Sequence, residues 1–327
     1  MTRSASLRPT NGNGVSRRDL LRAAVGTLPL AGAASLGGTL WPALAARAQQ
    51  AAANITATDL GGLFLLQGAG CNVLAMPGDD GALLIDGGLA ANAGALLRAV
   101  YDATGNDRIH TLINTHWHPE QTGVNEAVGR AGGVIFAHEK TRMFLSNRVY
   151  SALFEGRLEP LPEPGRPNEV TRGDLSNGSF EFAGRRIDYG YLPAAHTDGD
   201  LYVYFPDFDV LAAGGVVSGD CWPLLDWRAG AWLGGRVRAL EWLAELTNPD
   251  TRVVPADGPM LTGRDMVRHR DLYQDLFLTM IDYMNMGMGI DDVVRLNPLE
   301  AYEAEFGDPS AFLDGAYRSM LIAYVPD

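Results

Sequence analysis

The 327-residue chain contains only two cysteines, Cys71 and Cys221, and neither sits in a C-x-x-C pair. A cysteine-based metal site is therefore excluded. The two thiols can pair in an oxidising compartment or stay buried, and their spacing leaves both open. Positive charge is also scarce, with 26 Lys and Arg against 39 Asp and Glu and a formal net charge of −13. The deficit is uneven. Before Gln49 stand Arg3, Arg8, Arg17, Arg18, Arg22 and Arg47 against Asp19, so the remainder carries about −18. So acidic a surface repels phosphate backbones and anionic lipid, which argues against nucleic acid and leaves a small-molecule substrate as the expected partner. There is no internal repeat, no charge run and no convincing spanning helix. The stretch 23–45 is long enough, but Pro29, Pro42 and its glycines make it a poor one. What remains is 46% hydrophobic and 20% charged, enough for one large core or two modest ones.

The N-terminus reads as an address. Ser16-Arg17-Arg18-Asp19-Leu20-Leu21 carries the paired arginines of a twin-arginine export signal, an Ala- and Gly-rich apolar stretch follows, and Ala46-Arg47-Ala48 offers a cleavage site. The expectation is a signal over 1–48, a periplasmic or secreted chain, and no stable membrane insertion once the signal is removed.

Beyond it, Phe64–Leu66, Asn72–Met76 and Ala82–Ile85 read as strands, the last two joined by the turn Pro77–Gly81. Leu96, Leu97, Val100 and Tyr101 recur at helical spacing, and Thr111–Asn114 is the next strand. A short helix over Asn125–Ala131 leads to a strand over Gly133–Phe136. This alternation predicts an α/β fold. Four prolines between Glu159 and Pro167 mark a loop or lid. Strands resume at Arg186–Tyr191, Leu201–Phe205 and Val210–Ala213. A helix carrying Val237, Leu240, Leu243 and Leu246 then precedes the strand Arg252–Val254. From Arg264 onward the pattern is helical, and Met280, Met284, Met286 and Met288 read as core or lid packing.

The chemistry concentrates in Thr115-His116-Trp117-His118-Pro119-Glu120-Gln121-Thr122-Gly123, directly after an apolar strand. On a helix, side chains two apart point about 200° from each other, whereas a tight turn at a strand end can aim both into one cavity. Ala195-His196-Thr197-Asp198-Gly199-Asp200 brings a third histidine after another strand. Three neutral imidazoles with an open fourth position are the ligand set of a catalytic zinc, which acidifies its bound water to a pKa of about 7. Of six histidines, three fall in these motifs; His110 and His269 read as surface or structural, and His138 is a lesser candidate.

The ordered set Leu84-Ile85-Asp86-Gly87-Gly88, Thr115–Gly123, Ala195–Asp200 and Val253-Val254-Pro255-Ala256-Asp257-Gly258-Pro259 resembles the metallo-β-lactamase superfamily, most closely its glyoxalase-like and quinoprotein-relay-type hydrolases. The resemblance covers roughly 55–262 and implies an αββα sandwich with metals at one edge; 263–327 would be a helical extension packed on the same domain. It implies His116, His118 and His196 as ligands of one metal. The family's H-x-H-x-D-H departs here to Glu120 and Gln121, its bridging aspartate falls on Gly215 in preference to Asp220, and its late histidine is Asp257. The second site thus keeps only oxygen donors, which suit a hard cation better than zinc. Glu120 and Asp257 are the candidate catalytic carboxylates, and Asp86 and Gln121 the candidate supports behind the ligands.

The expected activity is an exported hydrolase with one zinc, or alternatively iron, acting on an ester, thioester, lactone or amide. A non-catalytic binding protein and an iron oxygenase on the same scaffold are the other readings. Nothing in the motifs points to β-lactams in particular.

Overall fold

A computed structural model describes residues 55–154, 156–173 and 177–324. The proposed export signal lies outside them. In chain order, strands β1 (Thr56–Asp59), β2 (Phe64–Gln67), β3 (Val73–Met76) and β4 (Ala82–Ile85) precede helix α1 (Ala93–Thr104) and β5 (Ile109–Ile113). Helix α2 (Asn125–Arg130), β6 (Val134–His138) and helix α3 (Glu139–Ser146) follow. A small hairpin, β7 (Val149–Tyr150) and β8 (Arg157–Leu158), then leads to β9 (Glu169–Thr171). The first sheet runs β1-β2-β3-β4-β5-β6-β9, antiparallel up to β4 and parallel beyond.

The second sheet comprises β10 (Gly178–Phe182), β11 (Arg185–Leu192), β12 (Asp200–Phe205), β13 (Val210–Gly214), β14 (Arg252–Pro255) and β15 (Leu261–Thr262), in that order. Helix α4 (Leu233–Leu246) crosses from β13 to its parallel neighbour β14. Helices α5 (Gly263–Asn285), α6 (Ile290–Leu296), α7 (Glu303–Phe306) and α8 (Ser310–Tyr324) end the described chain. Among the described residues, no helix is long and apolar enough to cross a membrane.

The two-residue period of a strand explains the layers. On β4, Leu83 and Ile85 enter the core between the sheets, while Ala82 and Leu84 face Leu96 and Val100 of α1. On β13, Val210 and Ala212 enter that same core, while Leu211 and Ala213 face Val237 and Leu240 of α4. Both faces of the central strands are covered, which is why they read as unbroken apolar runs. The product is an αββα sandwich, as the resemblance implied.

The C-terminal helices share one core with the second sheet: Met266, Tyr273, Phe312 and Met320 pack with Leu192, Leu211 and Val253. Of the methionine stripe, Met280 is buried and Met284 packs at the core's edge. Met286 is 68% exposed, because α5 stops at Asn285 and the turn carries that side chain outward. Sequence patterning did not reveal β1, β9, β10 or the β7–β8 hairpin, whose segments are short and carry no buried residue.

Candidate metal centre

His116 and His118 lie on the turn leaving β5, and His196 on the turn between β11 and β12, at one edge of the sandwich. Backbone bonds from Leu201 N to Thr115 O (2.7 Å) and from Asp226 N to His196 O (3.0 Å) knit these turns together. Asp86, at the end of β4, and Ala194, two residues before His196, hold left-handed backbone with φ of 63° and 53°. Such strain persists only where the surroundings fix it. At Ala194 the surroundings include α4, whose Gly235 comes so close that a Cβ there would lie 2.2 Å from the Ala194 carbonyl oxygen.

The three imidazoles are buried and form a three-bladed arrangement. Ring centroids are 4.8, 4.8 and 4.9 Å apart, with interplanar angles of 84°, 87° and 85°. One nitrogen from each ring falls within 4.8 Å of the other two. Among the described residues this is the one such cluster of His, Cys, Asp or Glu.

Hydrogen bonds to the outer nitrogens set the tautomers. Thr115 Oγ1 donates its only proton to Asp86 Oδ2 (2.7 Å), so at 3.0 Å it must accept from His116 Nδ1–H. His118 Nε2–H donates to Asp226 Oδ2 (3.1 Å), and His196 Nδ1–H to the Leu224 carbonyl (2.7 Å). In the neutral rings the inward atoms, His116 Nε2, His118 Nδ1 and His196 Nε2, are left as lone pairs. His118 Nδ1 and His196 Nε2 stand 3.1 Å apart, so a second proton held by His118 is shared between them when no cation is present, and buried His116 Nε2 has no hydrogen-bond partner. Three inward nitrogens within 4.8 Å of one another, on buried rings whose outer nitrogens are each held by a partner, fit a metal ion that displaces the shared proton.

The surrounding charge agrees. Burial, followed by mutual repulsion within the cluster, pushes the pKa values of His116 and His196 well below the ordinary imidazole value. Burial also works against charge on His118, yet its bond to Asp226 and the charges of Glu120, Asp226 and Asp200 raise its pKa above the ordinary imidazole value. Asp226 itself stays below the usual carboxylate range despite burial, because His118, Ala152 and Ser151 all donate to it. Burial raises Asp86 to about 7 against the pull of its two Thr115 bonds.

Glu120 is lifted above its ordinary value, first by burial and then by Asp257 and Asp226, while His118 opposes the rise. The charge of Glu120 thus acts on His118, and that of Asp257 on Glu120. Asp257 Oδ1 accepts from Gly258 N at 2.8 Å. Gln121 does not support a ligand through its side chain. Its backbone N–H bonds the His118 carbonyl (3.0 Å), and its Oε1 is buried with no partner.

Gly215 lies against the His196 ring, and a Cβ built there would sit 2.2 Å from His196 Cδ2. Asp220, the rival for that position, is exposed. His138 is buried outside the cluster, stacked on Tyr191 at 3.9 Å. His269 is buried between Tyr273 and Phe306, and His110 bonds its neighbour Thr111 (2.8 Å). Cys71 and Cys221 are not joined: Cys71 is buried in the core beneath β3, and Cys221 Sγ lies 3.0 Å from Ser218 Oγ.

The sequence profile of the metallo-beta-lactamase superfamily matches residues 67–256, from the end of β2 through β14, and so takes in all three histidines. The chain belongs to that superfamily. Among solved structures, a metallo-beta-lactamase from Pontibacter korlensis is 22% identical, over 67% of this chain and 93% of that one, with a TM-score of 0.50. The DIM-1 metallo-beta-lactamase is 15% identical over 68% and 98%, at 0.53. The inverting sec-alkylsulfatase Pisa1 from Pseudomonas sp. is 18% identical, over 87% of this chain and 52% of that one, at 0.60. No curated protein matches. At these identities the structural neighbours speak for the fold alone.

Three residues of this metallo-beta-lactamase-fold site escaped the sequence. Asp226 orients His118, and buried Arg236 bonds the Pro223 and Leu224 carbonyls, the latter at 3.0 Å. Leu224 O is also the acceptor for His196. Ser151 donates to Asp226 at 2.6 Å. None lies in a recognisable motif; a buried aspartate and a buried arginine betray themselves only once burial is known.

Proposed function

We propose that this chain is an exported hydrolase that uses one divalent cation, zinc, held by His116 Nε2, His118 Nδ1 and His196 Nε2. The observation that carries this reading is the set of three converging imidazole nitrogens, each ring fixed by an outer partner, with two nitrogens only 3.1 Å apart. A zinc there supplies a Lewis acid for a substrate oxygen and an acidified water as nucleophile. Asp86 acts through Thr115 to hold the His116 ring, and Asp226 and Leu224 O hold the other two. Glu120, with its raised pKa, takes up a proton from the attacking water and returns it to the leaving group. The charge of Asp257 helps keep Glu120 basic. The substrate is an ester, thioester, lactone or amide, and the acidic surface favours a small molecule over nucleic acid.

The second-site positions hold Glu120, Gln121, Gly215 and Asp257, with no imidazole among them. The space beside His196 is too tight for a side chain at 215. A single ion per chain follows.

Metal analysis by mass spectrometry of the purified mature chain, beside a His116→Ala/His118→Ala variant, tests this reading. About one zinc per chain, lost in the variant, together with turnover in an ester and thioester screen, supports it. Iron in its place points to an oxygenase. No metal after zinc is supplied defeats catalysis and leaves a binding protein. Export is tested separately, by locating the chain after Arg17→Lys/Arg18→Lys substitution.

A further inference from the structure

The turn that follows β7 is tied to Asp226, the carboxylate that holds His118. Ser151 Oγ–H donates to Asp226 Oδ2 (2.6 Å) and Ala152 N–H to Asp226 Oδ1 (2.7 Å), while Leu153 N–H donates to Ser151 Oγ (2.9 Å). The same Oδ2 accepts from His118. Val149 and Leu158, at the base of the hairpin, pack on the cluster of Trp117, Leu145 and Ala229. One buried carboxylate thus fixes both the ligand and the turn, and the turn delivers Phe154. Its ring stands edge-on to His118, with centroids 5.1 Å apart and planes at 71°. Phe154 remains only half-buried, so its ring borders both the imidazole and solvent. Glu120, two residues after His118, adds its negative charge to the surroundings of the same imidazole.

An aromatic face held beside a metal ligand, with carboxylates around it, sorts substrates by the group placed on that face. We infer that Phe154 is a specificity-determining residue, positioned by Asp226, and that the site takes uncharged carbonyl compounds whose acyl group carries an apolar chain or ring. The inference rests on the single-cation reading above. Anionic substrates are disfavoured by Glu120 and Asp257, and short polar acyl groups leave the Phe154 face wet. Buried apolar area is the source of the discrimination, because each methylene removed from water contributes favourably.

The test is calorimetric binding of octanohydroxamic and acetohydroxamic acids to the zinc-loaded protein. Both are neutral in solution, give up one proton on chelating the metal, and differ only in the chain. Wild type is expected to bind the octanoyl probe at least tenfold more tightly. Phe154→Ala lowers octanoyl affinity about tenfold, leaves acetyl affinity within about twofold, and leaves zinc content at wild-type level. Phe154→Leu, which keeps an apolar side chain, retains most of the preference, an outcome that a merely structural role for the ring would not produce. Equal binding of the two probes, equal losses of both in Phe154→Ala, or no binding of either overturns the inference. Turnover of p-nitrophenyl acetate and octanoate separates the two readings. A chain-length preference in binding without turnover defeats the hydrolase reading and keeps this one. Turnover indifferent to chain length in both wild type and Phe154→Ala does the reverse.

Discussion

Replacing Asp226 with asparagine keeps the shape of the side chain and removes half of its accepting capacity, so it isolates what the carboxylate does for the metal centre. The carboxylate receives His118 Nε2–H at 3.1 Å, Ser151 Oγ–H at 2.6 Å and Ala152 N–H at 2.7 Å. An amide accepts at one atom only. If its oxygen keeps Ala152, its NH₂ group faces His118 Nε2, and that ring must shift its proton to Nδ1, the atom that stands 3.1 Å from His196 Nε2. The lone pair needed by a metal is then gone. If its oxygen keeps His118 and Ser151, two N–H groups confront each other at Ala152. Either way one hydrogen bond to a charged group is lost, worth about 1.5–3 kcal/mol. Loss of an outer partner of a metal-binding imidazole weakens affinity by about 10–100-fold, which converts to about 1.4–2.7 kcal/mol. The two estimates meet. Zinc affinity in Asp226→Asn, measured by chelator competition, is therefore expected to fall by about 10–100-fold. Ser151→Ala, which spares the His118 bond, should lose less than about fivefold. An Asp226→Asn affinity within twofold of wild type would refute both the tautomer assignment and the lone-pair argument built on it.

Zinc affinity should also depend on pH through one proton. His116 and His196 are held neutral by burial and mutual repulsion, whereas His118 keeps a proton above pH 6.5. Affinity then falls about tenfold per pH unit on the acid side of the His118 pKa and levels off above it, and a limiting slope of two or three in titrations from pH 5.5 to 8 would contradict this. In the metal-free protein the His118–Asp226 pair adds stability that is full below 6.5 and is lost as pH rises through the raised value, so His118→Gln should flatten that part of the denaturation profile. Gly215→Asp, which would restore a carboxylate where the superfamily bridges two metals, should instead push against the His196 ring. Its Cβ would be 2.2 Å from Cδ2, so zinc per chain should drop below one by mass spectrometry, and a rise to two would sink the one-ion geometry. Arg236→Met leaves the buried Pro223 carbonyl without its donor, at a cost of about 1–3 kcal/mol in urea unfolding. It should also weaken zinc binding, because the Leu224 carbonyl that orients His196 loses its second anchor; unchanged zinc affinity in a folded variant would count against that role.

What the sequence disclosed and what it hid divide along a physical line. The central strands were legible because both of their faces are buried, which leaves apolar runs such as Ala82–Ile85 and Val210–Ala213. The histidines were legible because metal ligands must sit close together on turns, so His116 and His118 share five residues of context with Thr115 and Gln121. Asp226 and Arg236 were not. Each acts across a sequence distance, 108 residues from Asp226 to His118 and 12 from Arg236 to Leu224, and only the closed fold supplies that proximity. The hairpin escaped for the opposite reason. Its strands are two residues each and half exposed, so neither periodicity nor hydrophobicity marks them.

The departures from the family pattern make sense as a set rather than as separate losses. With glycine at 215, the His196 ring is free to lie where a side chain there would otherwise stand, and in that pose its Nε2 reaches 3.1 Å from His118 Nδ1. A two-metal site needs the ligands spread around both ions, whereas this one draws three nitrogens together. Behind them, every outer nitrogen keeps its partner: Thr115 backed by Asp86, Asp226 backed by Ser151 and Ala152, and Leu224 O backed by Arg236. A site merely decaying would lose those partners along with the second set of ligands, because nothing would maintain a buried Asp226 or a buried Arg236 against their desolvation costs. The intact outer layer argues that the three-histidine site is maintained for a cation.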